Sequence, residues 1–427
     1  MKKIIAKTAI TSVISQLAKP FLSLVTLPPL LSYLGQSGLG IWFIANSLAS
    51  IGNILNLGVS TTLVTDIARI RNSERSELLT PKISSTLSVS ALYAILFLAI
   101  TVPLAKILNW HDILHISGQA ESKDVEKMIL TVAVATSVNF IAALPSQVII
   151  GLQFGYVTHL ITIAASLIST IAVFIAISLK LPIWIICGAQ LTTNLLISFV
   201  ASIIFLKMKK IKLFSLEKVN RSSFNDSIRR SSRMVIYQGA YNISAQSDQF
   251  IIGAILSPEA GVPYGIAARI FSFPLMITTA IVYATWPILA NFDAQGKKEE
   301  FAKLFKRTLS LCFFVSAAAP LLIFNNYGAI VYTWLGKNIQ TQKLIIIGMI
   351  TWVFVGSIAN VFDIALRAQN KTEYLMRSMV WMSIINLIST LMLIPRIGAA
   401  GAIWGTVAGY LIAILVPYGI KLKRLII

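Results

Sequence analysis

Two cations, Lys19 and Arg269, stand inside otherwise apolar stretches and are the residues best placed to do chemistry. Lys19 lies about eleven residues into its stretch, roughly 16 Å at 1.5 Å per residue, near the middle of a ~30 Å hydrocarbon layer. An ammonium there costs at least ~2.5–3.5 kcal/mol unless it is hydrated or paired. No acid is close in sequence, so an anion-binding role in a wet cavity is expected for Lys19. Arg269 has a candidate partner in Asp248. The two lie about eight residues either side of the same turn, so adjacent antiparallel helices would bring them to one depth. Either they neutralise one another, or they form a switch, with an anion competing for Arg269 or a proton or sodium ion binding Asp248. Asp66 and Asp363, near the ends of their stretches, are further ion-coupling or gating candidates; solvation or pairing in a loop is the plainer reading.

Polar residues recur at helical spacing around these charges. One stretch carries Thr8, Ser12, Ser15, Lys19, Ser23 and Thr26, and the next carries Asn46, Ser50, Asn53 and Asn56. Later come Tyr237, Tyr241, Ser244 and Asp248, followed by Arg269, Ser272, Thr279 and Tyr283. Such stripes are costly against lipid and should face protein or water. Hydrogen bonding between helices accounts for any one of them. Four in equivalent places favour a shared hydrated cavity, with Lys19, Arg269, Asn46, Asn53, Tyr237, Tyr241 and Tyr283 as its substrate contacts. His159, in line with Thr162, Ser166 and Ser169, is a further cavity candidate. His111 and His115 have a spacing that metal sites use on helices, but no third ligand is evident, and Trp110 marks an interfacial segment. Cys187 and Cys312 read as small buried hydrophobes. No metal or cofactor is expected.

The elements that must position these residues are membrane helices. Of 427 residues 56% are hydrophobic and 12% charged, and the mean hydropathy is +0.79. A soluble chain carries about twice that charge. Apolar stretches of about 20 residues recur along the whole chain, the length that crosses a bilayer as a helix. Twelve spans are predicted, at 8–34, 39–63, 83–108, 127–150, 157–178 and 182–206, then 233–256, 262–290, 308–334, 342–366, 374–395 and 398–420. The start of the chain reads as a first transmembrane helix, because Gln16, Lys19 and Pro20 interrupt it and no small-residue cleavage site follows.

The net charge of +20 does not point to nucleic acid, because the basic residues sit in short loops between spans. With the N-terminus inside, 27 of the 36 Lys and Arg residues fall on the cytoplasmic side, seven outside and two within spans. That bias places both termini in the cytoplasm. The basic loop 207–232 separates an N-terminal bundle, 1–206, from a C-terminal bundle, 233–427. Val13–Ala18 and Val235–Ala240 echo one another in register, as do Leu34…Gly38 and Leu256…Gly261. The reading is an all-α polytopic protein of about twelve transmembrane helices in two pseudo-symmetric six-helix bundles, with a cleft between them suited to alternating access.

The segment Val25-Thr26-Leu27-Pro28-Pro29 through Tyr33-Leu34-Gly35, then Gly40-Ile41-Trp42, Asn56-Leu57-Gly58 and Ile67-Ala68, resembles the start of Wzx-type polysaccharide flippases. These belong to the multidrug/oligosaccharidyl-lipid/polysaccharide exporter superfamily. Asn56 stands where that pattern commonly has an acid. The resemblance implies a multi-pass protein of the bacterial inner membrane that turns an undecaprenyl-pyrophosphate-linked oligosaccharide, such as an O-antigen repeat unit, to the periplasmic leaflet. It implies the lipid-linked oligosaccharide and membrane lipid as partners, with a proton or sodium counter-ion and a glycan polymerase complex as candidates. Within it, Lys19 and Arg269 would meet the pyrophosphate. The alternatives are an ion-coupled drug exporter, which would favour an acidic cavity, or a lipid II flippase, which usually has additional helices. A glycan polymerase, ligase or glycosyltransferase would need larger outer loops than 109–126. No nucleotide-binding motif is present.

Overall fold

The computed structural model describes residues 2–72, 76–116, 119–211 and 221–426, and these form helices joined by short turns, with no strand among them. Packing divides the chain into two units, Met1–Asn242 and Ile243–Ile427.

The first unit opens with α1 (Lys2–Gly52), which turns sharply at Gly35, where φ is 68° and ψ −169°. A side chain would be strained in that conformation, so glycine sets the corner. Pro20, Pro28 and Pro29 lie inside α1 without ending it, as membrane helices tolerate. Asn53 separates α1 from α2 (Ile54–Asn72). Its backbone N–H and its side-chain Nδ2 both donate to Ala49 O, at 3.1 and 2.8 Å, a competition that interrupts the helix. A 3₁₀ turn at Ser76–Leu78 leads into α3 (Leu79–Ile107), and the short α4 (Trp110–Ile113) precedes α5 (Gln119–Ala142). Then follow α6 (Leu144–Gly151), α7 (Gly155–Ser178), α8 (Ile183–Met208) and α9 (Arg221–Gln246), within which the boundary between the units falls. Residues 212–220 of the expected basic linker lie outside the described residues.

The second unit continues with α10 (Asp248–Ile255), α11 (Gly261–Ala294), α12 (Lys298–Leu335), α13 (Lys343–Ala368), α14 (Thr372–Ile397) and α15 (Ala400–Gly409). A π-helical turn at Tyr410–Leu415 joins α15 to α16 (Val416–Ile426). Glycines bring α14 and α15 together. A Cβ on Gly401 would meet Ile394 N at 2.4 Å, and one on Gly405 would meet Thr390 N at 2.7 Å. Small residues four apart are the usual device for such backbone contact between membrane helices.

Among the described residues, ten helical segments are long and apolar enough to cross a membrane. The first, Ile10–Gly52, contains the Gly35 corner and so covers most of the first two expected spans. The expected span at 233–256 is not among the ten: it corresponds to the second half of α9 and to α10, separated at Ser247. Large apolar side chains such as Ile107, Phe314 and Leu322 stay exposed, as lipid-facing residues do.

Candidate functional site: a neutral cavity and two buried ionic clusters

Polar side chains of the first unit converge on a cavity of about 470 Å³. Ser23 and Thr26 reach it from the first half of α1, and Asn46, Ser50 and Asn53 from beyond the Gly35 corner. Thr136 and Asn139 come from α5, and Ser166, Ser169 and Thr170 from α7. Gln190 and Asn194 complete it from α8. Close packing sets this register. A Cβ on Gly52 would lie 2.8 Å from Thr136 Cγ2, so glycine lets α1 press on α5. Next to it, Asn139 Nδ2 donates to Asn53 Oδ1 at 2.8 Å.

The hydrogen-bonding capacity is partly committed to the helices themselves. Asn46 Nδ2 donates to Trp42 O at 2.8 Å, Ser169 Oγ to Ser166 O at 3.0 Å and Thr26 Oγ1 to Ser23 O at 3.0 Å. The two hydroxyls keep acceptor lone pairs, and the Asn46 amide keeps a second N–H and its carbonyl oxygen. No described lining residue is ionisable. The cavity offers neutral donors and acceptors on several sides, which suits a ligand rich in hydroxyls.

The sequence-predicted residues distribute as follows. Asn46 and Asn53 line the cavity. The side chains of Lys19, Tyr237 and Tyr241 lie outside the described residues. Tyr283, on α11, is 55% exposed, and half-buried Arg269 donates from Nη1 to Gly265 O at 3.1 Å. His159 is half-buried and is not among the residues lining the cavity, although Ser166 and Ser169 on its helix are. His111 meets Asp112 at 3.0 Å, and both cysteines are buried.

Asp248 does not pair with Arg269. Its buried carboxylate accepts from Tyr264 Oη and, at 3.5 Å, from Thr406 Oγ1, to which Asn386 Nδ2 donates at 2.7 Å. The glycine contacts between α14 and α15 set Thr406 against Asn386. Among the described residues, Asp248 Oδ1, Asn386 Oδ1 and Thr390 Oγ1 are buried without a hydrogen-bond partner. Buried polar oxygens left in this state are costly unless a proton, a cation or water meets them.

Asp66 is buried in the first unit, where the plainer reading had it solvated or paired in a loop. Arg230 of α9 grips its two oxygens at 2.7 and 2.8 Å, and Lys82 of α3 meets it at 3.0 Å. Asp226 adds a second carboxylate, 2.5 Å from Arg230 and 3.6 Å from Lys82, and Lys82 Nζ donates to Ser227 Oγ at 3.0 Å. Burial works against the Arg230 charge, but Asp66 and Asp226 outweigh it and hold the guanidinium above its ordinary range. Asp363 pairs with Arg367 of its own helix at 2.5 Å.

Sequence reasoning missed Asn139, Gln190 and Asn194, and the partners of Asp248. Gln190 and Asn194, four apart in an apolar helix, carried the same stripe signal as Asn46 and Ser50. Tyr264, Asn386 and Thr406 carried none, because single polar residues in separate helices have no local pattern.

This helical arrangement is shared with known transporters. A multidrug resistance MATE family transporter of the MOP superfamily, in its inward-facing conformation, superposes with a TM-score of 0.76. The identity is 13%, over 96% of this chain and 98% of that one. The lipid II flippase MurJ, in an inward closed conformation, gives 0.75 at 15% identity, over 97% and 87% of the two chains. The chain therefore shares the polytopic helical fold of these two proteins.

The sequence places it more narrowly. Residues 5–293 match the profile of the polysaccharide biosynthesis protein family, and the chain belongs to that family. A Shigella flexneri protein named as an O-antigen transporter is 23% identical over 355 residues, covering 80% of this chain and 79% of its own length. A Salmonella typhimurium protein of the same name is 23% identical over 220 residues, which is 51% of this chain. That match spans only half, 50%, of the Salmonella protein.

Proposed function

We propose that this protein is a flippase that carries a lipid-linked oligosaccharide, an O-antigen or related repeat unit on undecaprenyl pyrophosphate, across the bacterial inner membrane. The observation that carries the reading is the neutral, hydrogen-bonding cavity of the first unit in a chain of this family. Sugars present hydroxyls and few charges. A site of amides and hydroxyls exchanges their water for equivalent hydrogen bonds inside the bilayer, where an unmatched polar group is expensive. Asn53, Asn139, Gln190 and Asn194 hold the glycan in this account. Lys19 and Arg269 attract the pyrophosphate, and Tyr237, Tyr241 and Tyr283 offer ring faces to sugars.

Both termini are cytoplasmic in this proposal, and transport runs by alternating access, which exposes the glycan to each side of the membrane in turn. Asp248 is the ion-coupling residue, since a proton or sodium ion would satisfy the orphaned oxygens around it. Asp66 and Asp363 act at the gates, through their ion pairs. A glycan polymerase that removes the product would reinforce the direction.

The test is export of surface glycan in a strain deleted for the gene. Asn139→Ala and Asn194→Ala should each lower surface glycan about tenfold or more while the protein reaches the membrane in normal amount, since each leaves a substrate hydroxyl unpaired. Normal glycan in both variants would refute the assignment of this cavity.

A further inference from the structure

A second hollow lies against the neutral cavity and has the opposite character. It is a groove of about 420 Å³ between α5 and α8, built from Leu130, Val134, Val138 and Leu196 with Thr131 and Thr192. The threonines do not make it polar. Thr131 Oγ1 donates to Lys127 O at 2.8 Å and Thr192 Oγ1 to Gly188 O at 2.6 Å, so both hydroxyls are turned to their own helices. Val134, Val138 and Leu196 are 49%, 48% and 56% exposed, so the groove opens to the outer surface of the unit. A Cβ on Gly188 would lie 3.1 Å from Thr131 Cγ2, so the two helices press together at that level.

The two hollows share a wall. Ala135 of α5 and Leu195 of α8 line both the groove and the neutral cavity. Polar space behind the wall and apolar space before it form a composite site for an amphiphile, not for a bulk lipid. An ordinary acyl chain gains only the groove, where it exchanges one apolar surface for another. A ligand with a hydroxylated head and a long hydrocarbon tail gains both. We infer that the α5–α8 groove docks the polyprenyl chain of the substrate while its glycan occupies the neutral cavity, with Leu195 and Ala135 as the partition between them. This rests on the glycan reading of the cavity and adds the place and side from which the lipid is held.

The test uses the full chain in nanodiscs of phosphatidylethanolamine and phosphatidylglycerol, supplied with undecaprenyl-pyrophosphate-linked N-acetylglucosamine. A photoreactive benzophenone side chain replaces Val134 or Leu196, and Ile171, an exposed apolar residue of α7, serves as the lipid-facing control. The ratio of polyprenyl to phospholipid adducts at 134 and 196 should exceed that at 171 by about fivefold or more. Equal ratios at all three positions would overturn the inference and mark the groove as bulk lipid contact. The export assay separates the two levels. If Asn194→Ala abolishes export while the ratios are equal, the glycan reading stands and the tail site falls. If Asn139→Ala and Asn194→Ala both export normally, the glycan reading fails, and the tail site that rests on it falls with it.

Discussion

Removal of the Asp66 carboxylate tests the physical logic of the first unit most sharply. Asp66 is 6% exposed, accepts two charge-assisted hydrogen bonds from Arg230 and forms an ion pair with Lys82 at 3.0 Å. Asp66 and Asp226 balance Lys82 and Arg230, and exposed Arg229 adds only a 3.8 Å contact to Asp226 at the rim. Asp66→Asn leaves Lys82 and Arg230 sharing Asp226, whose side chain is 40% exposed, and the cluster gains a net positive charge in a buried place. Breaking a buried pair by removing one partner costs ~3–5 kcal/mol. The same change at an exposed pair would cost only about 0–1 kcal/mol. The two figures are far enough apart to decide. The assay is reversible unfolding of the purified protein in mixed micelles, followed by helix signal. Removing Lys82 as well, as Asp66→Asn with Lys82→Met, restores charge balance and should recover about half of the loss. A single substitution costing under ~1 kcal/mol would show that the cluster is hydrated and does not hold α9 to α2 and α3.

Other expected outcomes are as direct. The raised Arg230 pKa gives stability that is complete below the ordinary arginine range and is lost only above it, so this contribution should stay flat when unfolding is measured from pH 6 to 9. Gly405→Ala puts a Cβ 2.3 Å from Thr390 Oγ1 and 2.7 Å from its backbone N, so α14 and α15 must part; overpacking of this kind costs ~1–3 kcal/mol in the same unfolding assay. Asp248→Asn should keep the fold but make export insensitive to the ion gradient, read as surface glycan with and without an uncoupler. An enzyme reporter fused after Lys212 should read cytoplasmic; a periplasmic reading would reverse the topology.

How much of this was legible in the sequence depends on the range of each interaction. Membrane helices are written locally, in twenty-residue apolar runs, and most of the expected spans coincide with observed helices. The seventh departs because α9 begins with a polar half whose Asp226, Ser227 and Arg230 are committed to α2 and α3. Stripe residues such as Asn46 and Asn53 were legible for the same local reason. That their stripe meets Asn139 and Asn194 was not, because the cavity depends on which faces of α1, α5, α7 and α8 pack together. Asp66 and Arg230 are 164 positions apart, and nothing near either residue announces the other. Asp248 and Arg269 illustrate the converse error: equal depth on neighbouring helices allowed a pair, yet Tyr264 stands closer to the carboxylate and takes it.

The central claim is that the glycan enters the neutral cavity of the first unit, and protection of a single cysteine addresses it most directly. With Cys187 and Cys312 replaced by alanine, Asn194→Cys places a thiol in the cavity wall of the full-length protein. A small maleimide should label it in proteoliposomes, and saturating lipid-linked oligosaccharide should slow that labelling about fivefold or more. Labelling at an unchanged rate, in a protein that still transports, would contradict the account.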